Sequence, residues 1–384
     1  MTQLRIPAVY MRGGTSKGVF FCADALPADL SARDRILLRV IGSPDPYGKQ
    51  IDGMGGATSS TSKVVIISKS TRADCDVDYL FGAVSIESPI IDWSGNCGNL
   101  TSAVGPFAIS EGLVDGIKNG TQQVRIWQAN IGKRIIAHVT MRDGQVVENG
   151  DFELDGVTFP AAEIKLEFLE PGGVGDDSDG GAMFPTGNIV DILEIPNFGK
   201  FEVTLINAGN PAIFIDATAL GLKGNELQDA VNSNEQLLQL CELIRAHGAV
   251  AMGLVDTAEE ATAKRPHTPK LAFVSAPQDY IASSGKPVSK NDIDLTARIV
   301  SMGKLHHAMT GTGAVAIAVA AAIPGTIVER TVGERRNEIC FGHPSGSLSV
   351  GASAINRDGE WTVIKAVMSR SARRLMEGWV RLPG

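Results

Sequence analysis

A strand-rich α+β protein of two similar domains is the fold class that the sequence predicts, and three features of its 384 residues carry that prediction. Short runs of β-forming residues outnumber helical stretches. An acidic, glycine-rich segment divides the chain near its middle. Each half holds a glycine-bracketed turn that runs straight into an apolar helix.

The strand runs fall at 7–11, 19–22, 63–68, 77–87, 124–127 and 135–140. Helical periodicity predicts helices over 31–41, after Cys97 (100–110), over 225–246, over 291–302 and after Thr312. No strict alternation of strand and helix is present, which disfavours a doubly wound sheet. The segment 170–181, EPGGVGDDSDGG, reads as a linker or long surface loop. It places the domains at 1–181 and 182–384, with the last segment expected to return to the first domain. The echo between the halves is SGNCGNLTSAV in the first and MTGTGAVA in the second. Its symmetry about the linker points to an internal duplication.

Composition narrows the function classes. A chain of this length exceeds the size at which one core stops growing. With 43% hydrophobic and 20% charged residues it is an ordinary globular chain. A net charge of −8 argues against nucleic acid or an anionic membrane as partner, but not against a small anion held by a few local cations. The five cysteines (Cys22, Cys75, Cys97, Cys241, Cys340) form no CxxC pair, so neither a disulfide framework nor a zinc site is indicated. The N-terminal stretch lacks a signal-peptide core, and the most apolar run, 314–323, is too short to span a bilayer. A soluble cytoplasmic protein is therefore expected. Oligomeric state is not readable from the residues; a homodimer is the working expectation.

Clustered glycines mark where chemistry is held. Cys97 lies between Gly95 and Gly98, just ahead of a predicted helix. A helix N-terminus favours negative charge, and hence thiolate, and its free amides point at an anion. An average free cysteine is simply a small buried hydrophobe; the GNCGN setting favours the functional reading. Lys63 ends ATSSTSK and opens the strand VVII. At a strand mouth a partly desolvated amine is a usable base, whereas a solvated edge lysine only blunts aggregation. Position alone leaves these two readings even. The turn Arg12-Gly13-Gly14-Thr15-Ser16-Lys17 offers backbone amides, hydroxyls and two cations, suited to a carboxylate or phosphate. The phosphate-loop spacing is absent, and strands rather than helices follow both lysines, which argues against a nucleotide. In Lys304-Leu305-His306-His307 the adjacent histidines point different ways, so hydrogen bonding is favoured over metal ligation. Arg370, Arg373 and Arg374, at helical spacing, read as a solvated face.

Taken together, the motifs YMRGGTSKGVFF, IGSPDPYGKQIDGMGGATSSTSK, DWSGNCGNLTSAVG, FPTGN, INAGNP, SMGKLHHAM, FGHPSG and VIKAVMSRSAR resemble the PrpF (methylaconitate isomerase) family, within the diaminopimelate epimerase and proline racemase superfamily. They span nearly the whole chain. The resemblance implies a diaminopimelate-epimerase-like fold, each domain a curled, mostly antiparallel sheet around a central helix, with the site in the cleft between them. It implies that Lys63 and Cys97 are catalytic. It also implies substrate binding by Arg12, Gly14, Thr15, Ser16, Lys17, Ser60, Gly98, Asn99, Asn207, Lys304, His306, Met309, Thr310 and Gly311, with no metal and no cofactor.

One departure is informative. Two-thiol epimerases of the superfamily carry a second cysteine just before the Gly-Thr-Gly of the second half, where this chain has Thr310. Two-cysteine racemisation of an amino acid is thereby disfavoured, and Lys63 becomes the natural partner of Cys97. The expected reaction is cofactor-independent isomerisation of methylaconitate, a small tricarboxylate, by proton transfer, as either double-bond migration or cis/trans interconversion, in propionate breakdown through the methylcitrate cycle. The alternatives are the same chemistry on 4-oxalomesaconate or methylitaconate, or a non-catalytic carboxylate-binding protein on the same fold.

Overall fold

The computed structural model describes residues 3–172, 182–357 and 360–383. Most of the acidic segment, with the expected boundary at 181, lies outside the described residues. The first half runs β1 (Leu4–Gly13), β2 (Ser16–Cys22), α1 (Leu30–Ile41), β3 (Lys63–Lys69), β4 (Val77–Val84), β5 (Ile91–Asp92), α2 (Gly98–Ser110), β6 (Gly120–Gln128), β7 (Lys133–Arg142), β8 (Gln145–Val146) and β9 (Ile164–Leu169). The second runs β10 (Asp191–Ile195), β11 (Gly199–Ala208), β12 (Asn210–Asp216), α3 (Gln228–Asn232), α4 (Glu235–Ala251), α5 (Ala258–Lys264) and β13 (Lys270–Ser275). It continues with β14 (Tyr280–Ile281), β15 (Pro287–Val288), β16 (Leu295–Ser301), β17 (Lys304–Leu305), α6 (Gly311–Ala321), α7 (Ile327–Val332), β18 (Glu338–His343), β19 (Gly346–Arg357), β20 (Glu360–Arg370) and β21 (Ala372–Leu382).

Strand pairing repeats between the halves in order and in sense. β1–β2 and β11–β12 are antiparallel hairpins. β2–β3 and β12–β13 are parallel. β3–β4 and β13–β16 are antiparallel, and β4–β6 and β16–β18 parallel. The short strands β5 and β17 pair antiparallel to β4 and β16, immediately before α2 and α6. The series closes with antiparallel β6–β7–β9 and β18–β19–β20. The weak sequence echo is thus the visible remnant of a topological repeat. The C-terminal strands tie the halves together: β20 pairs with β9 as well as β19, and β21 pairs with β1 from Leu4↔Leu382 to Gly13↔Ala372.

Each half wraps its sheet around a helix that is buried on every side. Every residue of α6 from Gly311 to Ala321, and of α2 from Gly98 to Ala108, is buried. A helix apolar all round must lie inside a core, and α2 touches β1, β2, β6, β7, β9 and β21, while α6 touches β11, β12, β18, β19 and β20. Small residues permit that approach: a Cβ on Gly105 would lie 2.8 Å from Val139 Cγ2. The amphipathic helices lie outside. α1 packs Leu37, Val40 and Ile41 on the outer face of the first sheet, and α4 packs Leu237, Cys241 and Ile244 on the second. Burying each such side chain contributes about 2 kcal/mol.

Two sequence expectations need correction. The stretch 291–302 contains strand β16, not a helix. β16 runs between β13 and β18 with all seven residues buried, Leu295, Ala297 and Ile299 in the α6 core and Val300 in the α4 core. Burial on both faces removes the period of two that marks a half-buried strand. The helix expected over 225–246 is two helices, interrupted where Asn234 accepts the Leu237 N–H and starts α4.

Candidate active site

The topology brings the N-termini of α2 and α6 tip to tip. A Cβ on Gly98 would sit 2.8 Å from the Gly311 carbonyl carbon, and one on Gly311 would sit 2.4 Å from that of Gly98 and 2.6 Å from Asn99 N. Only glycines allow this contact, and it converges the positive ends of two helix dipoles on one point. Cys97 is the N-cap of α2, its Sγ 3.5 Å from Leu100 N, and is 7% exposed. Thr310 is the N-cap of α6, its hydroxyl accepting from Gly313 N at 3.1 Å. The repeat therefore superimposes Cys97 on Thr310.

Asparagines lock the joint. Asn96 N donates to Asn210 Oδ1 at 2.8 Å, and Asn210 Nδ2 donates to Asn96 O at 2.9 Å. Asn99 Nδ2 donates to Thr15 Oγ1 (3.0 Å) and to the Met309 carbonyl (3.2 Å), while its Oδ1 accepts from Arg370 Nε at 3.1 Å. Gly14, at φ 51°, presses on the same side chain; a Cβ there would lie 2.6 Å from Asn99 Oδ1.

Lys63 is the first residue of β3, 6% exposed, with Nζ 4.9 Å above the Phe81 ring. The equivalent first residue of β13 is Lys270, which the sequence reading missed. It is 3% exposed, and its Nζ donates to Ser301 Oγ (3.0 Å) and His267 O (3.1 Å). Burial and the positive charge of Lys63 push its pKa down from 10.5 to about 7, while Cys97 pulls it up. Burial, Lys270 and Lys63 hold His267 well below the ordinary histidine range.

Arg370 corrects another expectation. It lies on a strand rather than a helix, is 1% exposed, and binds Asn99 Oδ1 and Ser369 O. Burial lowers its pKa to about 10, and the proximity of Cys97 opposes that shift. The chain thus buries Lys270 and Arg370, which both feel Cys97, and Lys63, which acts on Lys270, and none of the three is ion-paired with a carboxylate among the described residues. A buried cation without an acidic partner is costly.

The other expected residues divide by location. Arg12, Gly14, Thr15, Ser16, Lys17 and Ser60 line a cavity of about 710 Å³ with His307 and Arg373. Arg12 spends one guanidinium nitrogen on the Gly14 and Ser371 carbonyls, and Lys17 Nζ lies 5.5 Å over the Tyr10 ring. Ser60 also borders a second cavity of about 720 Å³, lined by Ser301, Lys304, His306 and His307. Lys304 is exposed at its rim, and His306 is 3% exposed. The Met309 side chain lies in the hydrophobic core, with only its carbonyl engaged by Asn99. Asn207 donates to Ala182 O at 2.9 Å and lines a separate small depression with Ser94 and Asn210, away from Lys63.

Lys270 carries a pH prediction. An anion that binds the site raises the Lys270 pKa from about 7, so binding takes up a proton above that value. The affinity for a tricarboxylate is expected to be full below pH 7 and to weaken by up to about tenfold per pH unit above it. Lys270→Gln removes that slope in titration calorimetry; an unchanged slope refutes the assignment. For folding, the unfolded chain keeps this proton to about pH 10 and the folded chain loses it near 7, so this residue's contribution to stability rises with pH across that window.

Two topologically repeated halves with abutting central helices build a proline racemase-like fold. A solved hydroxyproline epimerase from Agrobacterium vitis shares it at TM-score 0.57 and 12% identity, covering 99% of this chain and 93% of that one. Residues 3–383 match the family model described as PrpF protein, and the chain belongs to the PrpF family. It is 63% identical to a 2-methyl-aconitate isomerase of Shewanella oneidensis (99% of this chain, 98% of that protein) and 63% identical to one of Cupriavidus necator (100% and 98%). A crystal structure of methylitaconate-delta-isomerase matches at 41% identity and TM-score 0.76, covering 100% of this chain and 96% of that one. The protein is an enzyme of the isomerase class. No helix among the described residues is long and apolar enough to cross a membrane.

Proposed function

We propose that the protein interconverts isomers of 2-methyl-aconitate by moving one allylic proton, with Lys63 and Cys97 as the acid/base pair. One of the two takes a proton from the carbon next to the double bond. The C–H electron pair enters the conjugated carboxylate, giving a delocalised anion. The proton returns at another carbon as the double bond shifts, or at the original carbon after rotation about the loosened bond. No atom or electron is gained or lost.

The observation that carries this reading is the concentration of buried positive charge at the joined helix tips. Lys270 and Arg370 act on Cys97 and Lys63 acts on Lys270, and none of the three is ion-paired with a carboxylate among the described residues. Lys270 and Arg370 bind substrate carboxylates outside the reacting system, whose charge is constant through the reaction, and Lys63 is left to transfer the proton. The helix amides and neutral donors face the charge that develops in the transition state. The 63% identity to two 2-methyl-aconitate isomerases, against 41% to the methylitaconate enzyme, favours methylaconitate as substrate. On this reading the enzyme serves propionate breakdown by the methylcitrate cycle in the cytoplasm.

A panel of 2-methyl-aconitate, 3-methylitaconate and 4-oxalomesaconate, followed by ultraviolet absorbance in heavy water, tests it. The highest kcat/KM is expected on 2-methyl-aconitate, with deuterium entering the methyl or methylene carbon. A higher kcat/KM on another acid reassigns the substrate. Isomerisation with strictly no deuterium entry defeats the allylic mechanism.

A further inference from the structure

His306 is held in a single proton arrangement by its own backbone. Its Nδ1 accepts the N–H of Ala308 at 3.1 Å. A ring nitrogen that accepts a hydrogen bond carries no proton, so the neutral ring bears its proton on Nε2. Among the described residues no hydrogen bond within the chain engages Nε2. The ring is 3% exposed and forms part of the wall of the 720 Å³ cavity, beside Ser60, Ser301 and His307.

That wall adjoins the catalytic amines. Ser301 Oγ accepts from Lys270 Nζ at 3.0 Å, and Ser60 lies three residues before Lys63. Among the described residues every titratable group that acts on the ring is basic. His307, which the sequence reading expected to point away, stacks on it at 4.7 Å, and Lys63 on β3 and Lys270 on β13 act on it as well. Burial, His307 and the two lysines together hold the ring well below the ordinary histidine range. A cation at this position would sit among cations with no acid to balance it, so the surroundings select a neutral donor.

We propose that His306 is a catalytic residue acting as a neutral hydrogen-bond donor, its Nε2–H meeting the carboxylate oxygen on which negative charge builds as the allylic proton leaves. This rests on the isomerase reading above and adds a division of labour to it. Lys270 and Arg370 bind charge already present in the ground state, and Lys63 and Cys97 move the proton. A neutral N–H strengthens chiefly as the oxygen becomes more basic, so its contribution falls on kcat rather than KM.

Three proteins test the proposal: wild type, His306→Leu, which removes the donor, and His306→Gln, whose amide N–H reaches a similar position without an imidazole. His306→Leu is expected to lose about a hundredfold in kcat with KM within a few-fold. His306→Gln is expected to recover at least tenfold of that loss. In ¹⁵N spectra of wild-type protein, the ring signals absent from His306→Gln are expected to show a protonated Nε2 and a bare Nδ1 from pH 5.5 to 8.5. Retention of wild-type kcat by His306→Leu overturns the proposal, as does an imidazolium signal for this ring above pH 6. His306→Gln as impaired as His306→Leu, with both folded, overturns it too. A wild-type protein that turns over no unsaturated polycarboxylate defeats the functional reading itself, and with it this proposal.

Discussion

Lys63→Met and Cys97→Ser are each expected to lower kcat by about a thousandfold while leaving the fold intact. The size of the loss follows from removing a proton-transfer group held in place for the reaction. The intact fold follows from the geometry. Serine caps a helix at least as well as cysteine, so α2 keeps its start when Cys97 Sγ is exchanged for a hydroxyl. Methionine fills the volume of the Lys63 stem and removes a buried ammonium without a carboxylate partner, which leaves stability unchanged or raised. Steady-state kinetics combined with urea midpoints separate the two effects. Either variant retaining full isomerase activity would sink the assignment of the pair. Loss of activity with a collapsed midpoint would mean that the residue is structural.

Gly311→Ala carries the second large effect, this time on stability. Its Cβ would lie 2.4 Å from the Gly98 carbonyl carbon and 2.6 Å from Asn99 N, all backbone atoms inside a buried joint. No side chain can rotate to make room, so the helix tips must part. A loss of about 3 kcal/mol is expected. Because Asn99 links the joint to Thr15, Met309 and Arg370, activity should fall with it. Gly351→Ala is the control: its added Cβ meets only Asn337 O, at 3.6 Å. Equal urea midpoints for Gly311→Ala and Gly351→Ala would show that the tips do not touch.

Legibility of the site differed residue by residue. The helix-start position of Cys97 was legible because its surroundings are local: glycines, asparagines and the following helix are neighbours in the chain. Lys63 was half legible, since a lysine at a strand mouth looks the same solvated or buried. Lys270 was not legible. In HTPKLAFV it reads as a common edge lysine, and only the parallel pairing of β13 with β12 places it inside. Arg370 was misread for a related reason. Its spacing from Arg373 and Arg374 suits a helix face, but the chain is extended there and β20 is held between β19 and β9.

Strand β16 shows the same limit in the fold. Alternation is the signature of a strand with one wet face, and β16 has none. The outer helices α1 and α4 were readable because each keeps a polar side, and periodicity records the boundary between core and water.

The sequence by itself determined which segments turn, which carry a polar face, the place of Cys97 between glycines at a helix start and the absence of a second thiol at Thr310. Those properties depend on neighbours within a few residues. Only the tertiary structure decided that Lys63 and Lys270 are paired by the repeat, that Arg370 is buried beside Asn99, and that two helix N-termini meet at Gly98 and Gly311. Burial and charge at those positions come from strands far apart in the chain, so the electrostatics of the site exist only once the two halves have closed on each other.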